Sequence, residues 1–387
     1  MRPSQGETKT LSSVDAAFPL FYVGLMSGTS IDAVDAALVR MVSIDAVPQL
    51  VASHSHSYPA ALAHDLRRLS KAASISYVEL CEVDTAVGRE FALATLALLA
   101  NNDLPGNAIR AIGSHGQTLF HHPHGENANT IQIGNPNVIA QMTKIATVAD
   151  LRRRDIAAGG QGAPLLPALH QRLFADRTHT RGVLNLGGIA NLTVLPAGCD
   201  KPNAGFDTGP ANTLLDAWIQ RTLGETYDKC GAWAETGIIN KALLACLCAD
   251  PYLHAKPPKS TGVDYFNLDW LFKQSKAVAS LPPADVQRTL TRFSAVAAID
   301  AARPFELTEM WAVGGGCHNA LLMQDLSELA DYPVNSAAEL GVDIDSLEAL
   351  AFGWFAHTHL EHIPVMPKGV TGEHEPVVLG ALYPGTY

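Results

Sequence analysis

A strand–glycine turn–strand pattern occurs twice in this sequence, and it constrains the fold more than any other feature. The first copy lies at 21–41 and the second at 182–195, each with apolar runs on both sides of a short turn. Such runs are typical of β-hairpins. Gly24 and Gly187 are 163 positions apart, since 187 − 24 = 163. The pattern therefore predicts an α/β lobe that is duplicated within the chain.

The length and composition of the chain agree with two lobes. At roughly 150 residues per domain, a chain of 387 residues is long for a single domain. Hydrophobic residues make up 47% and charged residues only 17%, which excludes a disordered chain. The best apolar run, at 91–100, is too short for a membrane span and predicts a core helix.

The net negative charge of the chain bears on which partners it can bind. The 27 basic and 38 acidic residues sum to −11 with His neutral, and no long Lys/Arg run occurs. We therefore expect no nucleic-acid partner and no membrane partner. A small anionic ligand is compatible with this charge, because it needs local donors only. Six scattered Cys without a CxxC pair, and an N-terminus without an apolar signal segment, predict a cytoplasmic protein.

Four glycine-containing turns, at 24–32, 185–191, 206–212 and 314–316, are candidate nucleotide contacts. Small residues at a turn let backbone N–H groups approach a phosphate closely. One such turn alone is more often structural than functional, but four in one α/β chain favour a nucleotide cleft. Neither a Walker A motif nor a GxGxxG after the first strand is present, which disfavours a P-loop enzyme and a Rossmann dehydrogenase.

A charged segment at 150–164 contains a candidate catalytic carboxylate, Asp155. Three Arg at 152–154 precede it, and a glycine-rich loop follows it. Two interpretations remain open: a solvated, salt-bridged face, or a general base that is held near a glycine loop and oriented by the Arg groups. Near another predicted strand, His115 and Gln117 are candidate hydrogen-bonding partners of a sugar. The His-rich pieces lack the spacing of a zinc hydrolase.

Longer segments carry a family resemblance. In order from about residue 22 to 384, the chain contains GLMSGTSIDAVDAAL, GSHGQTLFHHP, TIQIGNPN, VADLRRRDIAAGGQGAPLLPALH, VLNLGGIANLTVL, GFDTGPANTLLDAW, PKSTG, AVGGGCHNALLM and a final VTG…VVLGALYP. On these segments it resembles the anhydro-N-acetylmuramic acid kinases. The match covers almost the full chain, and several segments are long and specific.

The resemblance implies an α/β fold of the actin/hexokinase/Hsp70-like ATPase superfamily. Two ribonuclease H-like lobes would enclose a nucleotide cleft. We expect a flexible tail at 1–18, a first lobe with the phosphate loop at 19–146 plus 365–387, and a second lobe at 147–364. Independently of the resemblance, the residue pattern predicts an amphipathic helix at 347–359 and a C-terminal segment that returns to the first lobe.

The resemblance also implies the reaction. ATP, Mg²⁺ and water would be used to open the 1,6-anhydro ring of 1,6-anhydro-N-acetylmuramic acid and to phosphorylate its 6-oxygen. The products would be N-acetylmuramic acid 6-phosphate and ADP, in the recycling of cell-wall sugar. The implied partners are the sugar, ATP and a second copy of the chain in a homodimer.

Individual residues receive roles by the same resemblance. Asp155 is the expected catalytic base, which takes a proton from the attacking water. Asp32 and Asp207 are expected to hold Mg²⁺ through water. The expected sugar contacts are His115, Gln117 and Glu348. The expected ATP contacts are Gly28, Thr29, Ser30, Ile31, Asp32, Ala33, Val34, Asp35, Gly187, Gly188, Gly314, Gly315, Gly316 and Asn319.

The sequence departs from the family pattern at four positions. Ala33 and Ala211 replace Gly, Cys230 replaces Asp, and Val263 replaces Arg. Because a missing Arg affects ligand contacts, two alternatives stay open beside the anhydro-sugar kinase. One is a kinase of the same fold that acts on another amino sugar, and the other is a catalytically weak sugar- or nucleotide-binding protein. A metal-dependent hydrolase is a distant fourth, because its ligand spacing is missing.

Overall fold

The structure is a computed structural model, which describes residues 19–28, 30–72, 74–199, 201–365, 370–372 and 376–386. The tail predicted at 1–18 and the expected ATP contact Thr29 lie outside the described residues.

Groups of strands and groups of helices follow one another along the described chain. The strands are β1 (Leu20–Met26), β2 (Ala33–Met41), β3 (Gln49–Ser57), β4 (Ile109–Ser114), β5 (Gln117–His122), β6 (Asn129–Ile133), β7 (Thr147–Ala149), β8 (Arg181–Leu186), β9 (Ile189–Leu195), β10 (Ala204–Pro210), β11 (Glu309–Val313), β12 (Val334–Ser336) and β13 (Ala381–Tyr383). The α-helices are α1 (Ala60–Leu69), α2 (Tyr77–Asn101), α3 (Pro136–Thr143), α4 (Leu151–Ala157), α5 (Pro167–Phe174), α6 (Asn212–Leu223), α7 (Ala232–Glu235), α8 (Lys241–Cys248), α9 (Leu268–Gln274), α10 (Pro283–Ala302), α11 (Ala320–Leu329) and α12 (Leu347–Leu360). Short 3₁₀ turns lie at Gly106–Ala108, Lys229–Gly231, Lys276–Ala279, Arg303–Phe305, Gly315–His318 and Ala337–Leu340.

Two sheets repeat one topology. The first has the order β13-β7-β4-β1-β2-β3 and the second has the order β10-β9-β8-β11-β12. In each sheet a three-stranded antiparallel meander is followed by two parallel strands: β1–β2–β3 with β4 and β7, and β8–β9–β10 with β11 and β12. This repetition confirms the predicted duplication and the two-lobed actin/hexokinase-like fold class.

Helix α12 fills the layer between the two sheets. One core cluster joins its residues to Val39 of the first sheet and to Val183 and Val313 of the second. Eleven of the 14 residues of α12 are buried. A helix that is apolar all round is a buried helix, so the amphipathic character expected at 347–359 is wrong. The reason is the core cluster that surrounds the helix, since this cluster joins the first sheet to α5 and to strands of the second sheet.

Glycines in two strands allow α12 to lie close to the first sheet. A Cβ atom at Gly24 would overlap the carbonyl oxygen of Ala349, and one at Gly113 would overlap that of Phe352. Neither glycine has a positive φ. Glycine is therefore needed at both positions because a side chain would not fit, and not because of the backbone conformation. Gly24 therefore serves packing within β1, and the turn toward the cleft begins after Met26.

Two segments that were expected in the second lobe lie against the first sheet. Strand β7 pairs in parallel with β4, and α12 packs on β1, β2 and β4. Strand β13, near the C-terminus, pairs antiparallel with β7. The lobe boundaries at 146/147 and 364/365 stay a prediction. Within the described part of the chain, no helix is both long and apolar enough to cross a membrane.

Candidate functional site

A cavity of about 170 Å³ lies where strand ends from both sheets meet. Its walls come from β1, β2, β8, β11 and the first turn of α12. The lining residues are Met26, Asp35, Leu166, Asn185, Gly187, Val313, Gly314, Gly315, Ile344, Asp345, Leu347, Glu348 and Ala349. The fold therefore brings the end of the first hairpin, the second glycine turn and the three-glycine turn to one place.

A buried glutamine supports the expected phosphate loop between β1 and β2. Gln117 is 1% exposed; its Oε1 accepts a hydrogen bond from Ser27 Oγ at 2.7 Å, and its Nε2 donates to Gly28 O at 3.3 Å. Both ends of the amide are engaged by the loop. In this structure Gln117 holds the start of the loop, and its contact with the sugar stays a prediction.

The other described residues of this loop differ in exposure. Ser30 and Asp32 are exposed, Ile31 and Val34 are buried, and Ala33 is intermediate. Ala33 does not have a positive φ. The replacement of Gly by Ala at this position therefore adds a methyl group without backbone strain.

The second glycine turn rests on the start of α6. The carbonyl of Gly187 accepts hydrogen bonds from the Asn212 backbone N–H at 3.0 Å and from Asn212 Nδ2 at 2.9 Å. The carbonyl of Gly188 accepts from the N–H groups of Ala211 and Thr213, at 2.9 and 3.0 Å. Ala211 has φ −112°, so this position does not need the left-handed conformation that favours Gly. These bonds fix the turn that faces the first cavity.

The three-glycine turn follows β11. Gly314 has φ 85°, and a Cβ there would overlap Asn185 Oδ1, so this position requires glycine. A Cβ at Gly316 would come within 2.6 Å of Leu186 Cβ, whereas one at Gly315 would meet open space. Asn319 is 8% exposed and caps α11, because its Oδ1 accepts from the N–H of Leu322 at 3.1 Å. Contacts of these residues with adenosine stay predictions.

Two carboxylates of the first cavity have pKa values that their surroundings raise. Burial raises the pKa of Glu348, while the Arg152 charge and a hydrogen bond from Asn185 Nδ2, at 3.4 Å, oppose it. Burial likewise raises the pKa of Asp35, and the charge of Asp345 adds to this. Crowded acids of this kind are typical of functional sites, where burial and like charges shift pKa values.

His115 is locked by two neighbours. Its Nδ1 lies 2.8 Å from Gly116 O, and its Nε2 lies 2.9 Å from Arg152 Nε. Because both contacts fit only one neutral tautomer, Nδ1 carries the proton and Nε2 accepts from the guanidinium. Burial and the Arg152 charge lower the pKa of His115 well below its usual value. Its role as a sugar contact stays a prediction, since neither ring nitrogen is available in this arrangement.

Arg152 is the least exposed member of the Arg run, and sequence reasoning did not single it out. Its Nη1 donates to Gly162 O at 2.7 Å, and burial lowers its pKa to about 10. Arg153 and Arg154 are exposed. The available signal was helical spacing: residues three apart lie on one face of a helix, which places Arg152 beside Asp155 on α4.

Asp155 is fully enclosed. Its side chain is 0% exposed; Oδ2 accepts from the Gly162 N–H at 2.7 Å, and Oδ1 accepts from Thr371 Oγ1 at 2.9 Å. The backbone passes so close that a Cβ at Gly160 would overlap the carboxylate. The Asp155 carboxylate therefore ties the glycine loop to the segment near the C-terminus.

Asp207, in β10, lines a second cavity of about 50 Å³. Its Oδ2 accepts from the Thr261 N–H at 2.9 Å, and Oδ1 has no hydrogen bond within the described ranges. Burial raises the pKa of Asp207 to about 6, although the Thr261 N–H and the Lys259 charge oppose the shift. The other lining residues are Gln161, Ala163, Pro164, Gly205, Pro258, Lys259, Ser260 and Val370. A carboxylate with this pKa is ionised at neutral pH and basic enough to take a proton.

The expected roles of Asp32 and Asp207 in holding Mg²⁺ through water stay a prediction. The Asp32 carboxylate is paired with Arg67 at 2.8 Å, and that of Asp207 is bonded to Thr261. In the part of the chain that the structure describes, no group of three or more His, Cys, Asp or Glu side chains is arranged to hold a metal.

A family model described as "Anhydro-N-acetylmuramic acid kinase" matches residues 20–385. This chain belongs to the anhydro-N-acetylmuramic acid kinase family. The resemblance found in the sequence is thereby confirmed. The chain is a kinase, a phosphotransferase with an alcohol group as acceptor, and it uses ATP.

Two relatives illustrate how close this family is. The anhydro-N-acetylmuramic acid kinase of Coxiella burnetii (strain Dugway 5J108-111) is 44% identical over 367 residues, which cover 94% of this chain and 97% of the relative. That of Xylella fastidiosa (strain Temecula1 / ATCC 700964) is 46% identical over 371 residues, with 94% and 96% covered. Among solved structures, the activator of the 2-hydroxyisocaproyl-CoA dehydratase from Clostridium difficile with bound ADPNP has a TM-score of 0.47 and 10% identity, with 88% of this chain and 96% of that chain covered.

Proposed function

We propose that this kinase opens the 1,6-anhydro ring of 1,6-anhydro-N-acetylmuramic acid with water and transfers the γ-phosphoryl group of ATP to the 6-oxygen. The products are N-acetylmuramic acid 6-phosphate and ADP, and the role is the recycling of cell-wall sugar. Family membership over residues 20–385 supports this reaction. One observation within the site carries the chemistry: Asp207 lines a cavity beside the glycine loop and has a pKa of about 6.

The proposed reaction needs one base and one phosphoryl acceptor. The water oxygen attacks the anomeric carbon, and the bond from that carbon to the 6-oxygen breaks. The water proton passes to a carboxylate, and the freed 6-oxygen attacks the γ-phosphorus and displaces ADP. The sequence of steps joins an inverting-glycosidase-like displacement to phosphoryl transfer. No separate general acid is required, because the phosphoryl group captures the departing oxygen.

Two carboxylates are candidates for the base, and the geometry supports Asp207 better than Asp155. Asp207 faces a cavity, and only one of its oxygens is bonded within the described residues. Both oxygens of the fully buried Asp155 accept hydrogen bonds, and the backbone at Gly160 covers the group. A base must reach its proton within hydrogen-bond distance. Asp155 then acts by shaping the glycine loop that borders the second cavity.

The first cavity suits the triphosphate. The loop at 28–35 would meet it from the first lobe and the turn at Gly187–Gly188 from the second, with the glycines at 314–316 beside adenosine. Backbone N–H groups at such turns bind phosphate oxygens. Mg²⁺ would accompany ATP, bound chiefly by the triphosphate. Glu348 would lie at the boundary between nucleotide and sugar.

Both cavities must widen for the substrates to bind. Their volumes, about 170 and 50 Å³, are below the roughly 300–1,000 Å³ of ordinary ligand pockets. We infer that the lobes separate to admit ATP and sugar and close before reaction, which limits wasteful hydrolysis. A cytoplasmic location agrees with the need for ATP and with six free cysteines. A homodimer is proposed on family resemblance alone.

Product analysis tests the proposed reaction directly. The purified protein is incubated with ATP and 1,6-anhydro-N-acetylmuramic acid in heavy-oxygen water, and ADP release is followed together with product mass. The label should enter the anomeric hydroxyl and be absent from the phosphate. Label in the phosphate, or ADP release without a phosphorylated sugar, would contradict the proposal.

A kinase for another amino sugar is the second candidate, favoured by Val263. This side chain is 45% exposed, and its Cγ1 lies 4.0 Å from the position of a Cβ at Gly188. The family's usual Arg is therefore missing beside a phosphate turn. Faster ADP release with N-acetylmuramic acid or a glucosamine derivative than with the anhydro sugar would favour this candidate.

A further inference from the structure

One arginine of α1 binds the phosphate loop between β1 and β2 on its outer side. Arg67 Nη2 lies 3.3 Å from Ser30 O, 3.0 Å from Ile31 O and 2.8 Å from Asp32 Oδ1. The side chain is half-exposed. A single guanidinium nitrogen therefore contacts three consecutive residues of the loop.

The backbone that Arg67 contacts is strained. Ile31 has φ 56°, in the left-handed region that β-branched residues rarely adopt. Such conformations persist only where neighbouring contacts hold them. Ile31 is 3% exposed, its N–H donates to Gly28 O at 3.3 Å, and its carbonyl accepts from Arg67. The guanidinium is thus one of the few groups that stabilise this conformation.

The contact also sets the direction of a backbone amide. Helix α1 belongs to a core cluster whose described residues all lie within 21–145, on the face of the first sheet opposite the cluster that includes the second sheet. In a trans peptide the C=O group and the following N–H point in opposite directions. Because the carbonyl of Ile31 points toward Arg67 of α1, the N–H of Asp32 points away from α1. Donors on that side are the ones that reach a phosphate in the cleft.

We propose that Arg67 is a positioning residue for ATP: it holds the phosphate loop in the conformation whose amide groups bind the triphosphate. The inference rests on the assignment of this loop to ATP in the proposed function. Arg67 acts through the loop and does not itself contact a phosphate, since its charge is paired with Asp32. It is a residue that the family motifs did not indicate.

Arg67→Gln tests this role, and the neighbouring Arg68→Gln is the matched control. Arg68 is also half-exposed, but it bonds Asp65 and Glu79 and has no hydrogen bond to the loop within the described residues. Loss of a charge-assisted contact to three loop atoms should raise the KM for ATP about five- to tenfold. The KM for the sugar should stay unchanged. The KM for ATP of Arg67→Lys should lie between those of the wild type and Arg67→Gln, because a lysine keeps the charge without the planar guanidinium group.

Direct titration with ATP in the absence of sugar gives a second readout. Arg67→Gln should weaken ATP binding by the same factor as it raises KM, whereas Asp32→Asn should weaken it less, because the two carbonyl contacts remain. Equal ATP affinity for Arg67→Gln and Arg68→Gln would overturn the proposal. So would a proportional rise in the KM for both substrates, which indicates general damage to the fold. Wild-type protein that neither binds nor consumes ATP would instead overturn the proposed function, before any variant is compared.

Discussion

Replacing Asp207 by Asn should change activity and stability in opposite directions. Burial raises the pKa of Asp207 from 3.8 to about 6. Between these pH values the folded protein binds more protons at this site than the unfolded chain, so stability falls as pH rises through this window. Above it, the ionised carboxylate destabilises the fold by at most about 3 kcal/mol, from the pKa difference at about 1.36 kcal/mol per pKa unit. Asn has no charge to bury.

The expected result for Asp207→Asn is a loss of turnover of about 10²–10⁴-fold, together with a higher unfolding midpoint at pH 8. At pH 4 and below, where the wild-type group is neutral in the folded state, the gain in stability should largely disappear. Coupled ADP release measures the first effect, and thermal unfolding at both pH values measures the second. Turnover within tenfold of wild type, or lower stability at pH 8, would refute the reasoning.

Asp155→Asn is the matched comparison. Its carboxylate accepts hydrogen bonds from the Gly162 N–H and from Thr371, and an amide directs an NH₂ group at one of these donors. We expect a loss of about 1–3 kcal/mol in stability. If Asp155→Asn abolishes turnover at unchanged stability while Asp207→Asn remains active, Asp155 is the base, as the sequence comparison predicted.

Three further outcomes follow from the geometry. The acid limb of kcat/KM should follow ionisation of Asp207 near pH 6, and Lys259→Met should move this limb to higher pH, because the Lys259 charge lowers the pKa of Asp207; an unmoved limb would contradict the assignment. Gly113→Ala should destabilise the protein by about 3 kcal/mol or more, since the new Cβ overlaps a carbonyl of α12, whereas Gly315→Ala, which meets open space, should leave the unfolding midpoint unchanged. Val263→Arg should lower the KM for ATP several-fold, because it adds a cation beside the Gly188 turn; a change in the sugar KM alone would place that position at the sugar instead.

Sequence reasoning was most successful where the signal was local. The two hairpins were predicted from apolar runs and glycine turns, and they occur at β1–β2 and β8–β9. The spacing of apolar residues in a strand and the residue types in a turn are local properties. Both can therefore be recognised without knowledge of the rest of the fold. Gly187, Gly314 and Glu348 were likewise singled out and line one cavity.

Helix α12 shows where local patterns failed. The local pattern predicted an amphipathic helix at 347–359, yet the core cluster around it leaves most of its residues buried. The glycines that permit the close approach, Gly24 and Gly113, are distant in sequence from the helix they contact. Packing of this kind depends on segments more than 200 residues apart, and a window of ten or twenty residues does not contain it.

By itself, the sequence determined the duplicated lobe, the glycine turns and, through its motifs, the enzyme family. Only the tertiary structure decided which of three consecutive arginines is least exposed and which aspartate faces a cavity. Asp155 and Asp207 both lie next to glycine-containing segments, so the sequence alone does not distinguish their environments. Their environments differ because solvation and hydrogen bonding come from distant segments, Thr371 for the first and 258–261 for the second, and a carboxylate's pKa depends on that surrounding medium.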